Sequence, residues 1–321
     1  MKNYKSRSVC LLLIVFLFVV SFSGCRTKDN KVEKKNSIDF KFIVRFMNVG
    51  EGNCTFIKFP DGKTMLIDCG NGVYDRVLSK TLKECSNRRD YLVLTHPDVE
   101  HIGDAKSVIK NNEIGTCFVP HINNLSLFPF YEDIYGVLKE NCNDILVSSM
   151  LKRVEGDDYA LMFLYPENEK DMFGSYAVLN NTEEPTEDEI DAICPIIYAE
   201  CFGIRFLFLS DGLRANEKTV VDNYNIGLYS NILKREIDLN NVDFWLVSNH
   251  GGNKGTSEEL LQLAKPKNAV ISVGLDNLKN HPSSHVLERL NKYCEKIYRT
   301  DIKGTITVFS DGQDYYVDTD M

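Results

Sequence analysis

The chain has 321 residues, of which 43% are hydrophobic and 26% are charged, and its formal net charge is −9. A chain of this length can bury a large core, as one α/β domain or as two smaller ones. The acidic balance disfavours a general nucleic-acid binder, because such proteins normally present a basic face.

The first 24 residues have the pattern of an export signal. Three basic residues precede Val9–Val20, an apolar run that is too short for a membrane span of about 20 residues. Ser23 and Gly24 then lead to Cys25, which is typical of the cleavage site of a bacterial lipoprotein. We therefore expect Cys25 to carry a lipid anchor on the extracytoplasmic face of the membrane. An ordinary secreted protein, or one that keeps its signal, is the alternative.

Residues 25–38 are polar and lack periodicity, which predicts a flexible tether. Residues 39–321 then remain for the folded domain. Loss of residues 1–24 removes three basic residues and no acidic ones, so the net charge would fall from −9 to −12. Acidic residues concentrate between Glu183 and Asp191, which predicts a solvated surface segment. The cysteines are scattered without a CxxC pair, and we expect them to be buried thiols.

Along the rest of the chain, apolar runs of strand length alternate with segments of helical spacing. The predicted strands are Phe40–Met47, Cys54–Phe59, Thr64–Ile67, Tyr91–Leu94, Thr116–Val119, Tyr159–Tyr165, Pro195–Tyr198, Ile204–Leu209, Asp243–Val247, Ala269–Val273 and Thr305–Phe309. The predicted helices are Val73–Cys85, the segment from His101 to Lys110, Leu127–Lys139, Leu260–Ala264 and Val286–Tyr293. Gly203 would lie at the turn of a hairpin. This alternation predicts an α/β protein with layered sheets.

A group of four potential metal ligands follows the strand Tyr91–Leu94. His96, Asp98, Glu100 and His101 lie within six residues. Histidine and carboxylate side chains in one turn are suited to holding one or two divalent cations. The alternative is a charged loop that caps a helix, with Asp98 or Glu100 near the helix N-terminus. That alternative explains one carboxylate but not the two histidines.

Four further polar residues follow other predicted strands. Asp68 comes after Thr64–Ile67, and the later ones are Asp211, His250 and His281. Residues at the ends of neighbouring strands meet at one edge of a sheet, where α/β active sites form. Taken singly, Asp68 and Asp211 are also ordinary turn residues. The glycines beside His250 would allow a ligand to approach the backbone closely.

The order of these motifs resembles the metallo-β-lactamase superfamily, and within it the hydrolase domain of ComEC-like competence proteins. The motifs are Asp68-x-Gly, His96-x-Asp-x-Glu-His-x-Gly103, Asp211-Gly212, His250-Gly251 and Asn277-x-x-x-His281-Pro. The resemblance also includes Phe46–Asn53 and Arg299-Thr-Asp301, and it covers most of residues 40–310. It implies a four-layer αββα sandwich with a dinuclear metal site on one edge.

The resemblance also implies a role for each matching residue. Six residues would be metal ligands, namely His96 and Asp98 for the first ion, Glu100, His101 and His250 for the second, and Asp211 as the bridge. Asp68 would support the site by orienting a ligand and its loop. The mixed histidine and carboxylate donors suit one or two ions of Zn²⁺ or Mn²⁺.

This chain departs from the family pattern at several positions. Glu100 stands where aspartate is usual, and Asn249 replaces the first of two adjacent histidines. Asn53 replaces a frequent aspartate. We find no candidate for the histidine that many members place between the second motif and the bridging aspartate, so the first metal site would have few ligands.

Two functions fit this pattern. In the first, bound cations lower the pKa of a shared water, and His281 contacts a phosphate or protonates the leaving group. The resemblance favours hydrolysis of an anionic phosphodiester, with DNA or a smaller phosphoester as substrate, over a lactone or β-lactam. In the second, the chain is a non-catalytic surface lipoprotein that keeps the fold as a binding module. No protein partner is evident from the sequence.

Overall fold

The computed structural model describes residues 40–73, 78–79, 82, 88–150, 152–167, 185–234, 236–275 and 277–321. The predicted export signal, Cys25 and the predicted tether at 25–38 lie outside these residues. No helix in the part of the chain that the structure describes is long and apolar enough to cross a membrane.

The described residues form fifteen strands, which are numbered in chain order. Their bounds are β1 Phe42–Phe46, β2 Thr55–Lys58, β3 Thr64–Ile67, β4 Arg88–Val93, β5 Glu113–Val119, β6 Cys142–Val147, β7 Arg153–Glu155, β8 Tyr159–Tyr165, β9 Ile196–Cys201, β10 Ile204–Phe208, β11 Phe244–Leu246, β12 Asn268–Ile271, β13 Lys296–Arg299, β14 Ile306–Ser310 and β15 Tyr315–Thr319. One sheet has the order β15-β14-β1-β2-β3-β4-β5-β6, and the other has the order β13-β12-β11-β10-β9-β8-β7.

Helices connect these strands and cover the outer faces of both sheets. Their bounds are α1 Val99–Ile102, α2 Ala105–Asn111, α3 Pro129–Asn141, α4 Glu187–Asp191, α5 Arg214–Asn225, α6 Leu228–Leu233, α7 Glu258–Ala264, α8 Ser284–Tyr293 and α9 Thr300–Lys303. Short 3₁₀ turns occur at Leu125–Leu127 and Ser248–Gly251.

Three apolar clusters define the layers. The central cluster contains inward residues of both sheets, such as Phe42 and Phe206, whose ring centroids lie 5.6 Å apart. A second cluster joins the first sheet to α2 and α3, and a third joins the second sheet to α5, α7 and α8. Each sheet therefore has one face on the other sheet and one face on helices. The fold is the predicted four-layer αββα sandwich.

Most predicted elements lie where the sequence placed them. Strands β9 and β10 form the predicted antiparallel hairpin around Gly203. The predicted helix Val73–Cys85 falls largely outside the described residues, although residues 78, 79 and 82 are helical. Sequence reasoning missed the strands β6, β7, β13 and β15 and the helices α4, α5, α6 and α9. Strand β15 lies at a sheet edge, where every residue is at least partly exposed and no apolar run is needed.

The topology brings the polar motifs to one edge. Strands β3, β4 and β5 are parallel in the first sheet, and β10, β11 and β12 are parallel in the second. The segments that follow the carboxyl ends of β3, β4, β10, β11 and β12 contain Asp68, His96, Asp211, His250 and Ser272, respectively. Because both sheets present these ends at the same side of the sandwich, side chains distant in sequence can meet there.

Candidate metal centre

Backbone hydrogen bonds join the loop after β3 to the turn that contains His101. The Cys69 amide donates to the His101 carbonyl at 2.7 Å, and the Gly103 amide donates to the Gly70 carbonyl at 2.7 Å. Gly103 has no room for a side chain, because an added Cβ would collide with the backbone of Asn71 and Gly72. These contacts fix the Asp68 loop and the His96–His101 turn as one unit.

Three buried histidines are each held through Nδ1. His101 Nδ1 lies 2.7 Å from Asp68 Oδ2, and His250 Nδ1 donates to the Ser272 carbonyl at 2.8 Å. The Thr95 hydroxyl donates to Asp68, so its oxygen can accept from His96 Nδ1 at 3.0 Å. Each ring therefore presents Nε2 to the interior. A metal-binding histidine is oriented in the same way, by a hydrogen bond through its other nitrogen.

The three Nε2 atoms converge with one carboxylate oxygen. Ligand atoms of His96, His101 and Asp211 all lie within 4.8 Å of one another. Asp211 Oδ1 is 3.2 Å from His101 Nε2 and 3.6 Å from His250 Nε2. These four atoms are buried, and none makes a hydrogen bond of good geometry with any described residue. Buried polar atoms without such partners are rare, and a bound cation would satisfy all four.

The charges in this cluster depend on one another. Burial, together with His101, lowers the pKa of His96 to about 4, so His96 is neutral at pH 7. Burial also lowers the pKa of His101, but Asp211 and Asp68 outweigh it and raise that pKa well above 6.5. Burial raises the pKa of Asp211, whereas His101 and His250 lower it well below 3.8. A cation bound here would take over the positive charge now carried by His101.

His250 occupies a backbone conformation that only a specific environment maintains. Asn249 and His250 have φ values of 50° and 51°, in the left-handed region. Asparagine adopts this region readily, but histidine does so at a cost of about 1–2 kcal/mol. The next residue, Gly251, has a φ of 86°, and an added Cβ would collide with Pro282. This local strain aims the His250 ring at Asp211.

Two predicted ligands lie outside the tight cluster. Asp98 is the N-cap of α1, and its Oδ1 accepts from the Glu100 amide at 3.0 Å. Glu100 Oε2 is 3.8 Å from His250 Nε2 but only 3.0 Å from Lys279 Nζ. The structure thus brings together His96, His101, Asp211 and His250, with Glu100 at the margin. The ligand role of each residue remains a prediction.

His281 lies at the rim of the same site. Its Nδ1 is 3.4 Å from Glu51 Oε1, and Glu51 Oε2 accepts from the Gly274 amide at 3.1 Å. The His281 backbone amide donates to Asn277 Oδ1 at 2.6 Å. A Cβ built on Gly252 would be 2.9 Å from His281 Nε2, which places that nitrogen beside the His250 loop. Sequence reasoning did not identify Glu51, because its partner His281 is 230 residues away along the chain.

Asp191 is the other residue that the sequence did not identify. The acidic stretch was predicted to be solvated, but Asp191 is only 1% exposed. Its Oδ2 is 3.4 Å from the amide nitrogen of Asn249, which also lies 3.5 Å from Asp211 Oδ2. Burial, reinforced by Asp211, raises the pKa of Asp191 to about 8. The prediction of a solvated segment is therefore wrong for Asp191, because the turn of α4 points it inward.

We expect Asp191→Asn to stabilise the metal-free protein, and to do so more at pH 8 than at pH 5. The unfolded carboxyl ionises near pH 4 and the folded one near pH 8, so the native protein loses stability as pH rises between these values. Each unit of pKa difference is worth on the order of 1.4 kcal/mol. Urea unfolding of chelator-treated protein at both pH values measures the difference.

Asp243→Asn is the matched control. Asp243 is also buried, but it accepts from the Arg205 amide at 2.9 Å and pairs with Lys267 at 2.7 Å. Loss of the Asp243 negative charge removes the ion pair with Lys267, so Asp243→Asn should destabilise the protein at both pH values. An equal change for Asp191→Asn at pH 5 and pH 8 would contradict the raised pKa of Asp191.

The fold and the buried His–Asp cluster agree with the family comparison. The model of the metallo-beta-lactamase superfamily matches residues 47–137. The solved structure of a mutant of the CmlA beta-hydroxylase superposes with a TM-score of 0.51 and 12% identity, over 84% of this chain and 54% of that one. The chain therefore has the metallo-beta-lactamase fold, and its residues 47–137 match the model of that superfamily.

The chain is also similar in sequence to two competence proteins. It is 23% identical over 316 residues to ComE operon protein 3 of Bacillus subtilis (strain 168), covering 93% of this chain and 35% of that protein. It is 24% identical over 219 residues to Competence protein ComA of Neisseria gonorrhoeae, covering 68% of this chain and 25% of that protein. The chain thus spans about a third or less of the length of these curated relatives.

Proposed function

We propose that this chain is a metal-dependent hydrolase of phosphoester bonds, of the phosphodiesterase type, that uses one or two ions of Zn²⁺ or Mn²⁺. The observation that carries the proposal is the convergence of four buried atoms that lack hydrogen bonds among the described residues, namely His96 Nε2, His101 Nε2, His250 Nε2 and Asp211 Oδ1. A divalent cation held by them would supply Lewis acidity and lower the pKa of water.

The side chains around these atoms support the chemistry in distinct ways. Asp68 and the Ser272 carbonyl hold the rings of His101 and His250 in place. Glu51 faces His281 Nδ1, which leaves His281 Nε2 to deliver a proton to the leaving oxygen of the ester. The attacking water needs no protein nucleophile, and the described cysteines near the site, Cys69 and Cys194, are buried thiols with raised pKa values.

The test is to measure bound metal and turnover on the same purified protein. We expect elemental analysis to find about one to two equivalents of Zn²⁺ or Mn²⁺. Hydrolysis of bis(p-nitrophenyl) phosphate should require one of these metals and stop on addition of a chelator. A preparation that binds neither metal and turns over nothing with either would contradict the proposal.

One observation favours the second candidate, a binding module without catalysis. Lys279 Nζ contacts Glu100 at 3.0 Å, so a protein cation already neutralises a predicted ligand of the second ion. Asn249 also lacks the metal-binding ring of the histidine usual there. A protein that binds one ion tightly, shows no turnover and still binds a phosphate compound would fit this candidate.

For the substrate, the net charge of −9 and the resemblance to competence proteins favour different answers. The resemblance includes DNA among the substrates, whereas an acidic chain repels a long polyanion. We propose a small phosphodiester as the preferred substrate. To test this preference, the turnover of a dinucleotide is compared with that of long single-stranded DNA at equal phosphate concentration. Faster cleavage of the long DNA would contradict the preference for a small phosphodiester.

We also propose that Cys25 carries a lipid that anchors the protein at the extracytoplasmic face of the membrane. The supporting observation is the basic, apolar and Ser23-Gly24-Cys25 sequence of the first 25 residues. Cells labelled with radioactive palmitate should yield labelled protein in the membrane fraction. Cys25→Ala should abolish the label, whereas Cys294→Ala should leave it unchanged. Label that persists in the Cys25 variant would exclude this anchor.

A further inference from the structure

Two lysines lie at the rim of the metal centre, on the loops that carry its histidines. Lys254 follows His250 by four residues, and Lys279 precedes His281 by two. Lys279 Nζ is 3.0 Å from Glu100 Oε2, which is itself 3.8 Å from His250 Nε2. Lys254 Nζ is 3.4 Å from Asp191 Oδ2. The two ammonium groups therefore border the centre from two loops.

One carboxylate bridges these two lysines. Glu187 Oε2 lies 2.7 Å from Lys254 Nζ, and Glu187 Oε1 lies 3.4 Å from Lys279 Nζ. Glu187 begins the short helix α4, which a reciprocal capping box between Thr186 and Glu189 holds in place. The Lys254 side chain is 33% exposed and contacts three carboxylates, those of Glu187, Asp188 and Asp191.

The two lysines carry full positive charge in this setting. Burial lowers the pKa of Lys254, but Asp188 and Glu187 outweigh it and raise that pKa above its usual value of 10.5. Burial also lowers the pKa of Lys279, but the neighbouring Glu100 carboxylate outweighs it and raises that pKa. Glu187 itself remains 52% exposed, so solvent can compete for it and the bridge is weak.

We propose that Lys254 and Lys279 form a binding site for the phosphoryl oxygens of the substrate, and that Glu187 occupies this site when the substrate is absent. Lysine binds phosphate as a point charge, and two ammonium groups that share one carboxylate can equally share a phosphoryl group. A phosphoryl group held there would lie beside Glu100 and His250. Glu187 would then be an internal anion that the substrate displaces.

This inference rests on the proposed function, since it assigns the residues that select an anionic phosphoester at that same site. It also explains why the acidic helix α4 lies beside a site that binds anions. If the substrate could not displace Glu187, a carboxylate between the two lysines would only oppose substrate binding. The specific consequence is that removing Glu187 should strengthen phosphate binding, whereas removing either lysine should weaken it.

The test uses inorganic phosphate as the probe and the full, metal-loaded protein, with binding measured by isothermal titration calorimetry at fixed pH and ionic strength. We expect Glu187→Gln to lower the phosphate dissociation constant about fivefold, because two partly exposed ion pairs are removed. Lys254→Gln and Lys279→Gln should each raise it about fivefold, and Lys279→Arg should keep most of the affinity because it keeps the charge.

A distant ion pair supplies the matched control. Glu258 and Lys292 contact each other on α7 and α8, away from the site. Glu258→Gln should leave phosphate binding unchanged, and circular dichroism should show that all variants fold. Phosphate affinity that is the same in the wild type and in Glu187→Gln, or that is unaffected by both lysine variants, would overturn the proposal. Tighter binding of acetate than of phosphate would do the same.

The result can be separated from the fate of the proposed function, because phosphate binding requires no turnover. A protein that cleaves no phosphodiester but shows these shifts in phosphate affinity contradicts the hydrolase and supports the anion site. A protein that cleaves phosphodiesters but whose phosphate affinity ignores Glu187 and both lysines contradicts the anion site alone.

Discussion

Replacing Asp211 by alanine is expected to lower phosphodiester turnover by about 10³-fold or more, and to lower the bound metal in the same preparation. Asp211 Oδ1 approaches both His101 Nε2 and His250 Nε2, at 3.2 and 3.6 Å. Without it, the Nε2 atoms of His101 and His250 lose a nearby carboxylate oxygen, and His101 loses one of its two carboxylate partners. Elemental analysis and steady-state kinetics, run in parallel, measure both effects.

His285→Ala is the control for this variant, because His285 is exposed on α8. It should retain full metal content and full turnover. If Asp211→Ala kept its metal and lost only turnover, Asp211 would act on the substrate and not on the cation. If it kept both, the centre would not be the site of reaction. A phosphate ligand that binds the wild type and Asp211→Ala equally well would favour the binding module.

Replacing Asp68 by alanine is expected to destabilise the protein by about 3–5 kcal/mol. Asp68 is fully buried and accepts from the Thr95 amide at 2.9 Å, from the Thr95 hydroxyl at 2.8 Å and from His101 Nδ1 at 2.7 Å. The substitution leaves these donors without an acceptor in a closed interior. The His101 ring would also lose its orientation, which should weaken metal affinity by about 10- to 100-fold.

Urea unfolding and a metal titration measure the two consequences of Asp68→Ala. Asp222→Ala is the control, because Asp222 is exposed and pairs with Lys218 on α5, one turn away. It should change neither stability nor metal affinity. Asp68→Asn should recover part of the stability, since its amide oxygen can still accept from Thr95. Metal affinity that is unchanged in Asp68→Ala would show that Asp68 does not orient His101.

The part of the site that could be predicted follows from strand direction. His96, Asp211 and His250 each follow a parallel strand, and parallel strands end at one edge, so their convergence was predictable from the order of motifs. The alternation of strands and helices in both halves predicted an α/β protein with layered sheets. The four-layer arrangement of those sheets and helices was implied by the resemblance to the superfamily.

The roles and the burial of the other site residues could not be predicted, because they depend on the side-chain environment, which local sequence does not encode. A His-x-Asp spacing suits a metal ligand and a helix N-cap equally, and the structure shows Asp98 as a cap. Glu187 and Asp191 are four residues apart in one acidic stretch, yet one is exposed and the other is buried. The orientation of α4 against the β11 loop decides between them, and that is a long-range property.

The residues of the candidate metal centre are divided between two widely separated halves of the chain. His96 and His101 belong to the edge of the first sheet, and Asp211 and His250 belong to the edge of the second. The segment that matches the superfamily model, residues 47–137, contains only the first pair. A shortened gene product that ended after this segment would keep the recognisable signature of the family and lose the centre. In genome surveys, the presence of the signature alone is therefore a poor guide to activity, and an intact second half should be the criterion.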